Sequence, residues 1–184
     1  MVKNNKQVAV IGDGRLTDDV LIEYAQKLGQ KIAQLGYHLV CGGLGGLMYH
    51  ACRGFKSVQG NGQTIGILPG HQFEQANDFI DIIIPTGLDV GRNQLVVASG
   101  FAVVAFGGGA GTLSEIALAS QLGKPIILLK GSGGWADKLE SEYLDKRKNS
   151  QVYHVEQLHQ LPELLEKLAA SPSKVGAINS GHNR

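Results

Sequence analysis

The stretch FAVVAFGGGAGTLSEIALASQLGKPIILL, residues 101–129, decides the fold. An apolar run rich in Val and Ala is long enough for a buried strand and breaks at Gly107, Gly108, Gly109, Ala110, Gly111 and Thr112. A helical pattern starts there, and a second apolar run follows Lys124 and Pro125. Strand, glycine turn, helix and strand in that order make the βαβ unit of a parallel sheet. Glycines between strand end and helix start let backbone N–H groups approach an anion, and the helix N-terminus favours negative charge there. A phosphate site is therefore expected along with the fold.

Outward from this unit the same alternation recurs. Residues 7–11 read as a strand closed by Gly12, Asp13 and Gly14. Thr17 or Asp18 can cap a helix whose apolar positions Val20, Leu21, Tyr24, Leu28, Ile32 and Leu35 fall at helical spacing, with Gly36 as its stop. Residues 37–41 read as a second strand, followed by Gly42, Gly43, Leu44, Gly45 and Gly46 and a helix to about Lys56. Strands are expected at 64–68 and 79–84, then a helix from Asp89 or Val90 into the opening stretch. Beyond it lie a charged helix to about Lys148, a strand at 152–155 and a helix at 158–169. The class is α/β, a Rossmann-like doubly wound, mainly parallel sheet with helices on both faces. Residues 1–170 are expected to form a single phosphate-ligand-binding domain, and the polar residues 171–184 a flexible C-terminal tail.

Composition narrows the function. The chain has 184 residues, enough for one domain with a full core. With 17 Lys and Arg against 16 Asp and Glu, no global field steers it to nucleic acid or anionic lipid. No apolar stretch of signal-peptide or membrane-span type occurs, so a cytoplasmic protein without membrane contact is expected. Cys41 and Cys52, two thiols without a disulfide framework, suit that reducing setting.

Ligands of doubly wound sheets bind outside the carboxyl ends of the strands. Three glycine-rich loops follow strands here, at 12–14, 42–46 and 107–112. One such loop is as well explained by a tight turn, but three at equivalent strand ends favour binding. None is the usual dinucleotide fingerprint or a GxxxxGK[ST] phosphate loop. In the third, the Thr112 hydroxyl can donate to a phosphate oxygen at the helix start. Glu115, one turn on, can face the same crevice, or close a Thr-x-x-Glu capping box instead. Arg92 can grip a phosphate bidentately, where an isolated arginine would by default form a surface salt bridge.

Together these residues resemble a known group. Residues 108–115, GGAGTLSE, are similar to the GGxGTxxE part of the PGGxGTxxE signature of the LOG, or "lysine decarboxylase-like", family. Residues 42–48, GGLGGLM, resemble its second glycine loop, and Arg92 falls where the family has the arginine of an Arg-Lys pair. The resemblance covers about residues 8–129. LOG enzymes are phosphoribohydrolases that release a base from a cytokinin nucleoside 5′-monophosphate. The resemblance implies that Arg92 and Glu115 would then serve catalysis while the glycine loop holds the phosphate. Gly107 stands for the signature's proline and Asn93 for the pair's lysine, and residues 86–93, TGLDVGRN, with residues 107–119 look closer to the molybdenum cofactor carrier proteins, a related branch that binds the pterin-based cofactor without known turnover.

Two functions are therefore weighed, a carrier first and a hydrolase second. The carrier reading implies a phosphate held by Gly108, Gly109, Ala110, Gly111 and Thr112, with Arg92 and Arg15 adding charge and Gly107, Asn93 and Glu115 alongside. Gly12, Gly14, Gly42, Gly43 and Gly45 would line the rest of the molybdenum cofactor, and a cofactor-accepting molybdoenzyme would be the partner. No structural metal is expected, because the histidines show no paired ligand spacing. Trp135 could stack on a planar ring or anchor its loop. The helix near Val90 continues through Leu95, Val96, Val97 and Ala98, more apolar than one sheet face needs, and relatives associate through equivalent helices. A homodimer or higher homo-oligomer is expected.

Overall fold

The computed structural model describes residues 6–171, so the expected tail lies outside the described residues but for Ser171. Seven strands run β1 (Gln7–Gly12), β2 (His38–Cys41), β3 (Thr64–Leu68), β4 (Ile82–Pro85), β5 (Ala102–Phe106), β6 (Ile126–Leu129) and β7 (Val152–Val155). Six helices accompany them: α1 (Asp19–Gln34), α2 (Leu47–Lys56), α3 (Asn93–Ser99), α4 (Ala110–Gln121), α5 (Gly134–Lys138) and α6 (Leu161–Ala170). All six strand pairings are parallel, in the order β4-β3-β2-β1-β5-β6-β7. The order reverses between β1 and β5, so the loops after those two strands splay apart and leave a crevice.

The strands are short apolar runs because both of their faces are buried. Val8 and Val10 point into the layer shared with α1, α2 and α6, whereas Ala9 and Ile11 face α3 and α4. Gly29 and Gly54 bring α1 and α2 into contact. A Cβ on Gly29 would lie 1.8 Å from the Ala51 carbonyl oxygen, and one on Gly54 2.0 Å from that of Gln26.

Several elements depart from the sequence reading. Asp18, not Thr17, caps α1, its Oδ1 accepting from the Leu21 N–H at 3.0 Å. Val20 is exposed, because it lies beyond the stripe set by Ala25, Leu28 and Ile32. The fourth strand starts at Ile82, since Asp81 turns the chain: its Oδ2 accepts from the Thr64 N–H at 2.9 Å, while Phe79 and Ile80 pack against the core from a loop. The helix expected to reach Lys148 stops at Lys138. Lys130 Nζ donates to the carbonyls of Ala136, Asp137 and Leu139 and so closes the end of α5.

Candidate functional site

The three glycine loops meet at the reversal between β1 and β5. A cleft of about 460 Å³ opens there, lined by Gly12, Asp13, Gly14 and Arg15 of the first loop, by Gly42 and Leu44 of the second, and by Gly109, Gly111, Thr112 and Glu115 of the third. Asp89, Val90, Arg92 and Asn93 close one side, with Met48 and Pro69 beneath.

Each loop is held by its neighbours. The first N–H of α2, on Leu47, donates to the Asp13 carbonyl at 2.9 Å and ties the second loop to the first. Gly46, at φ +60, has no room for a side chain, because a Cβ would lie 2.3 Å from the Gly14 carbonyl carbon. Asn77 Nδ2 donates to the Leu44 carbonyl at 2.9 Å and clamps the far side of the second loop. In the third loop Gly107 and Gly108 both take positive φ, at +59 and +92. Gly107 N–H donates to Ser132 Oγ at 2.8 Å, and the Gly108 carbonyl accepts from the Trp135 N–H at 3.1 Å. Trp135 thus braces the signature loop through its backbone.

Five expected residues are not on the cleft wall. Gly43 faces β3, where a Cβ would come 2.7 Å from Leu68 Cδ2. Gly45 lies outside the wall, and Gly107, Gly108 and Ala110 shape the third loop from behind. Asp13, Asp89, Leu44, Met48, Val90 and Pro69 line the wall without having been singled out. Asp89 stands apart in the structure as a non-glycine residue in the left-handed region, at φ +48.

The electrostatics are uneven. The N-terminus of α4 has no side-chain cap, so N–H groups of its first turn are free to meet an acceptor from the cleft. No capping box forms: Gly109 is the N-cap, and Glu115 sits in the second turn. Glu115 is buried, and burial pushes its carboxyl up to about 7 although Arg92 opposes this. Arg92 is half-buried against Gly42, where a Cβ would lie 2.1 Å from its Nη1. Its Nε is buried without a hydrogen-bond partner, and burial lowers its pKa against the pull of Glu115 and Cys41. A buried guanidinium Nε–H that lacks an acceptor at a cleft wall is arranged for an incoming anion.

Among the described residues, no group of three or more His, Cys, Asp or Glu is placed to hold a metal ion. No helix there is long and apolar enough to cross a membrane.

Similarity to known proteins agrees with this architecture. A family model described as the SLOG cluster4 family matches residues 5–163. An uncharacterized protein of Archaeoglobus fulgidus is 41% identical over 124 residues, covering 67% of this chain and 80% of its own. The molybdenum cofactor binding protein of the phototrophic bacterium Rippkaea orientalis is 36% identical, with a TM-score of 0.77 over 90% of this chain and 98% of that one. The molybdenum cofactor carrier protein of Chlamydomonas reinhardtii is 32% identical, with a TM-score of 0.77 over 91% and 100%.

Proposed function

We propose that this chain, which belongs to the SLOG cluster4 family, binds and carries the phosphate-bearing molybdenum cofactor in the cleft between β1 and β5. The observation that carries the reading is the pairing of an uncapped α4 N-terminus with Arg92, whose buried Nε lacks a partner. Its likeness to the Rippkaea and Chlamydomonas proteins supports the same ligand. Gly109, Gly111 and Thr112 would hold the phosphate, with Arg92 beside it and Arg15 on the opposite loop. Gly12, Gly14, Gly42 and Leu44 would face the pterin. When bound, the cofactor supplies molybdenum redox chemistry to a recipient molybdoenzyme, and this chain's residues bind and shield it. A cytoplasmic homo-oligomer completes the proposal, through the exposed apolar residues beside α3.

A second reading has one observation in its favour. Glu115, poised near 7 beside Arg92, has the character of a catalytic acid–base group, as a nucleoside monophosphate phosphoribohydrolase would need. Anaerobic titration with molybdenum cofactor, with AMP and a cytokinin riboside monophosphate as competitors, separates the two. Saturable cofactor binding without release of base is expected. Free base together with weak cofactor binding overturns the carrier. Arg92→Ala should weaken cofactor binding by about 10- to 100-fold, the worth of one hydrogen-bonded charge.

A further inference from the structure

Two thiols that the cleft does not use lie directly behind its wall. Cys41 ends β2 and Cys52 stands on α2, both fully buried. Their sulfurs are 3.8 Å apart, and the Gly43 N–H donates to Cys41 Sγ at 3.4 Å. Between Cys41 and Gly43 stands Gly42, the residue against which the Arg92 guanidinium rests. The two thiols are unequal. Cys41 is lowered, first by the hydrogen bond it shares with Cys52 and further by the Gly43 N–H and Arg92, against burial and Glu115. Cys52 is raised well above the usual thiol range by the same hydrogen bond and by burial. The opposite directions make Cys41 the attacking and Cys52 the resolving member of any reaction of the pair.

We propose that Cys41 and Cys52 are a two-electron redox site, closed to a disulfide by a hydroperoxide, and that closure loosens the grip of the cleft on its ligand. The first half stands on the thiols alone; the second rests on the cofactor-binding reading. Cys41 thiolate attacks one peroxide oxygen, the O–O bond breaks, and hydroxide leaves a sulfenic acid. Cys52 sulfur then attacks the sulfenic sulfur, the S–O bond breaks, and water leaves with the Cys52 proton. The thiol pair gives two electrons; the hydroxide takes up the proton that Cys41 lost on ionising, so hydrogen peroxide ends as two waters. Gly42 and Met48 line the cleft and adjoin the pair in sequence, Gly42 next to Cys41 and Met48 one helical turn before Cys52, so the cleft is the side from which a small peroxide would approach the buried sulfurs. Shortening the sulfur separation from 3.8 Å to about 2.05 Å draws Cys41 away from the Gly43 N–H and moves Gly42, and with it the seat of Arg92.

The purified full chain, reduced and then treated with hydrogen peroxide, is read by intact mass and by thiol count after unfolding. A mass lower by two hydrogens and no free thiols are expected, with both thiols restored by dithiothreitol. Two surviving thiols, or a gain of two oxygens on one cysteine, overturn the site. Cys52→Ala should instead trap a sulfenic acid at Cys41 that reacts with dimedone. Molybdenum cofactor titrated into reduced and oxidised chain should bind about tenfold more weakly to the oxidised form, the cost of one distorted charge-assisted contact. Equal binding overturns the coupling while the disulfide stands. A reduced chain that binds no cofactor sinks the carrier reading instead, and the thiol count is unaffected by that failure.

Discussion

Glu115 is an acid placed where charge is expensive. Its carboxyl lies at about 7 in the folded chain against an ordinary value of 4.5, with burial as the main cause. A raised acid stabilises the fold fully below the unfolded value, and that contribution is lost as pH rises through the folded value. At about 1.4 kcal/mol for each pH unit, stability should therefore fall by about 3 kcal/mol between pH 4.5 and 7 on account of this group. Glu115→Gln should flatten that fall and raise the denaturation midpoint above pH 7, as urea unfolding across the range will read. Unchanged pH dependence would show that the carboxyl is not buried as described. Gly42→Ala tests the neighbouring contact. Its backbone does not require glycine, and the methyl would meet the mobile end of Arg92. The variant should keep its melting temperature yet lose about as much cofactor affinity as Arg92→Ala; intact affinity would remove Gly42 from the seat of the arginine. At this scale the sequence drew attention to Arg92, Thr112 and Glu115, and the fold brings all three to one cleft. The sequence did not show Asp13 or Asp89, since a carboxylate in a turn looks the same whether it caps, pairs or lines a cleft.

Elements were legible where one periodicity dominated. The runs of β5 and β6, apolar throughout, could only be buried strands, and the alternation of strand and helix implied a parallel sheet. Residues 139–151 lacked such a signal. Their charges gave a helical impression, but no apolar stripe holds a helix to the sheet, and Lys130 stops α5 early. The brace that Trp135 gives the third loop was equally hidden, because it is a backbone N–H to a carbonyl and leaves no residue signature. The α1–α2 contact is a feature that sequence reads only as two isolated glycines. Gly54→Ala must push α1 and α2 apart, since the obstacle is backbone. A loss on the order of 1–3 kcal/mol is expected from urea midpoints, with the larger value if the helices cannot slide. A neutral effect would mean that α1 and α2 do not approach as closely as the structure has them.

For the whole molecule the open question is what covers the β4 side of the sheet. Register places Ile82 beside Ile65 and Ile84 beside Ile67, so these four share one face with the buried Val96 and Val97. Packing from α3 reaches β1 and β2, and Ile82 and Ile84 remain 39% and 41% exposed at the sheet edge. Leu88, Val90 and Leu95 are exposed on the segment that leads into and along α3. Apolar surface grouped in this way is better buried than wet, and a second copy presents the same group in return. Val90 also lines the cleft, so the contact would border the ligand site. Light scattering at micromolar concentration should give a mass well above 19.6 kDa. Leu95→Glu, which sets a charge in the middle of that surface, should return the chain to 19.6 kDa without unfolding it, since Leu95 is not part of the described core. A native chain that scatters as a monomer would leave the face to some other partner. A Leu95→Glu chain that stays associated would move the interface elsewhere on the molecule.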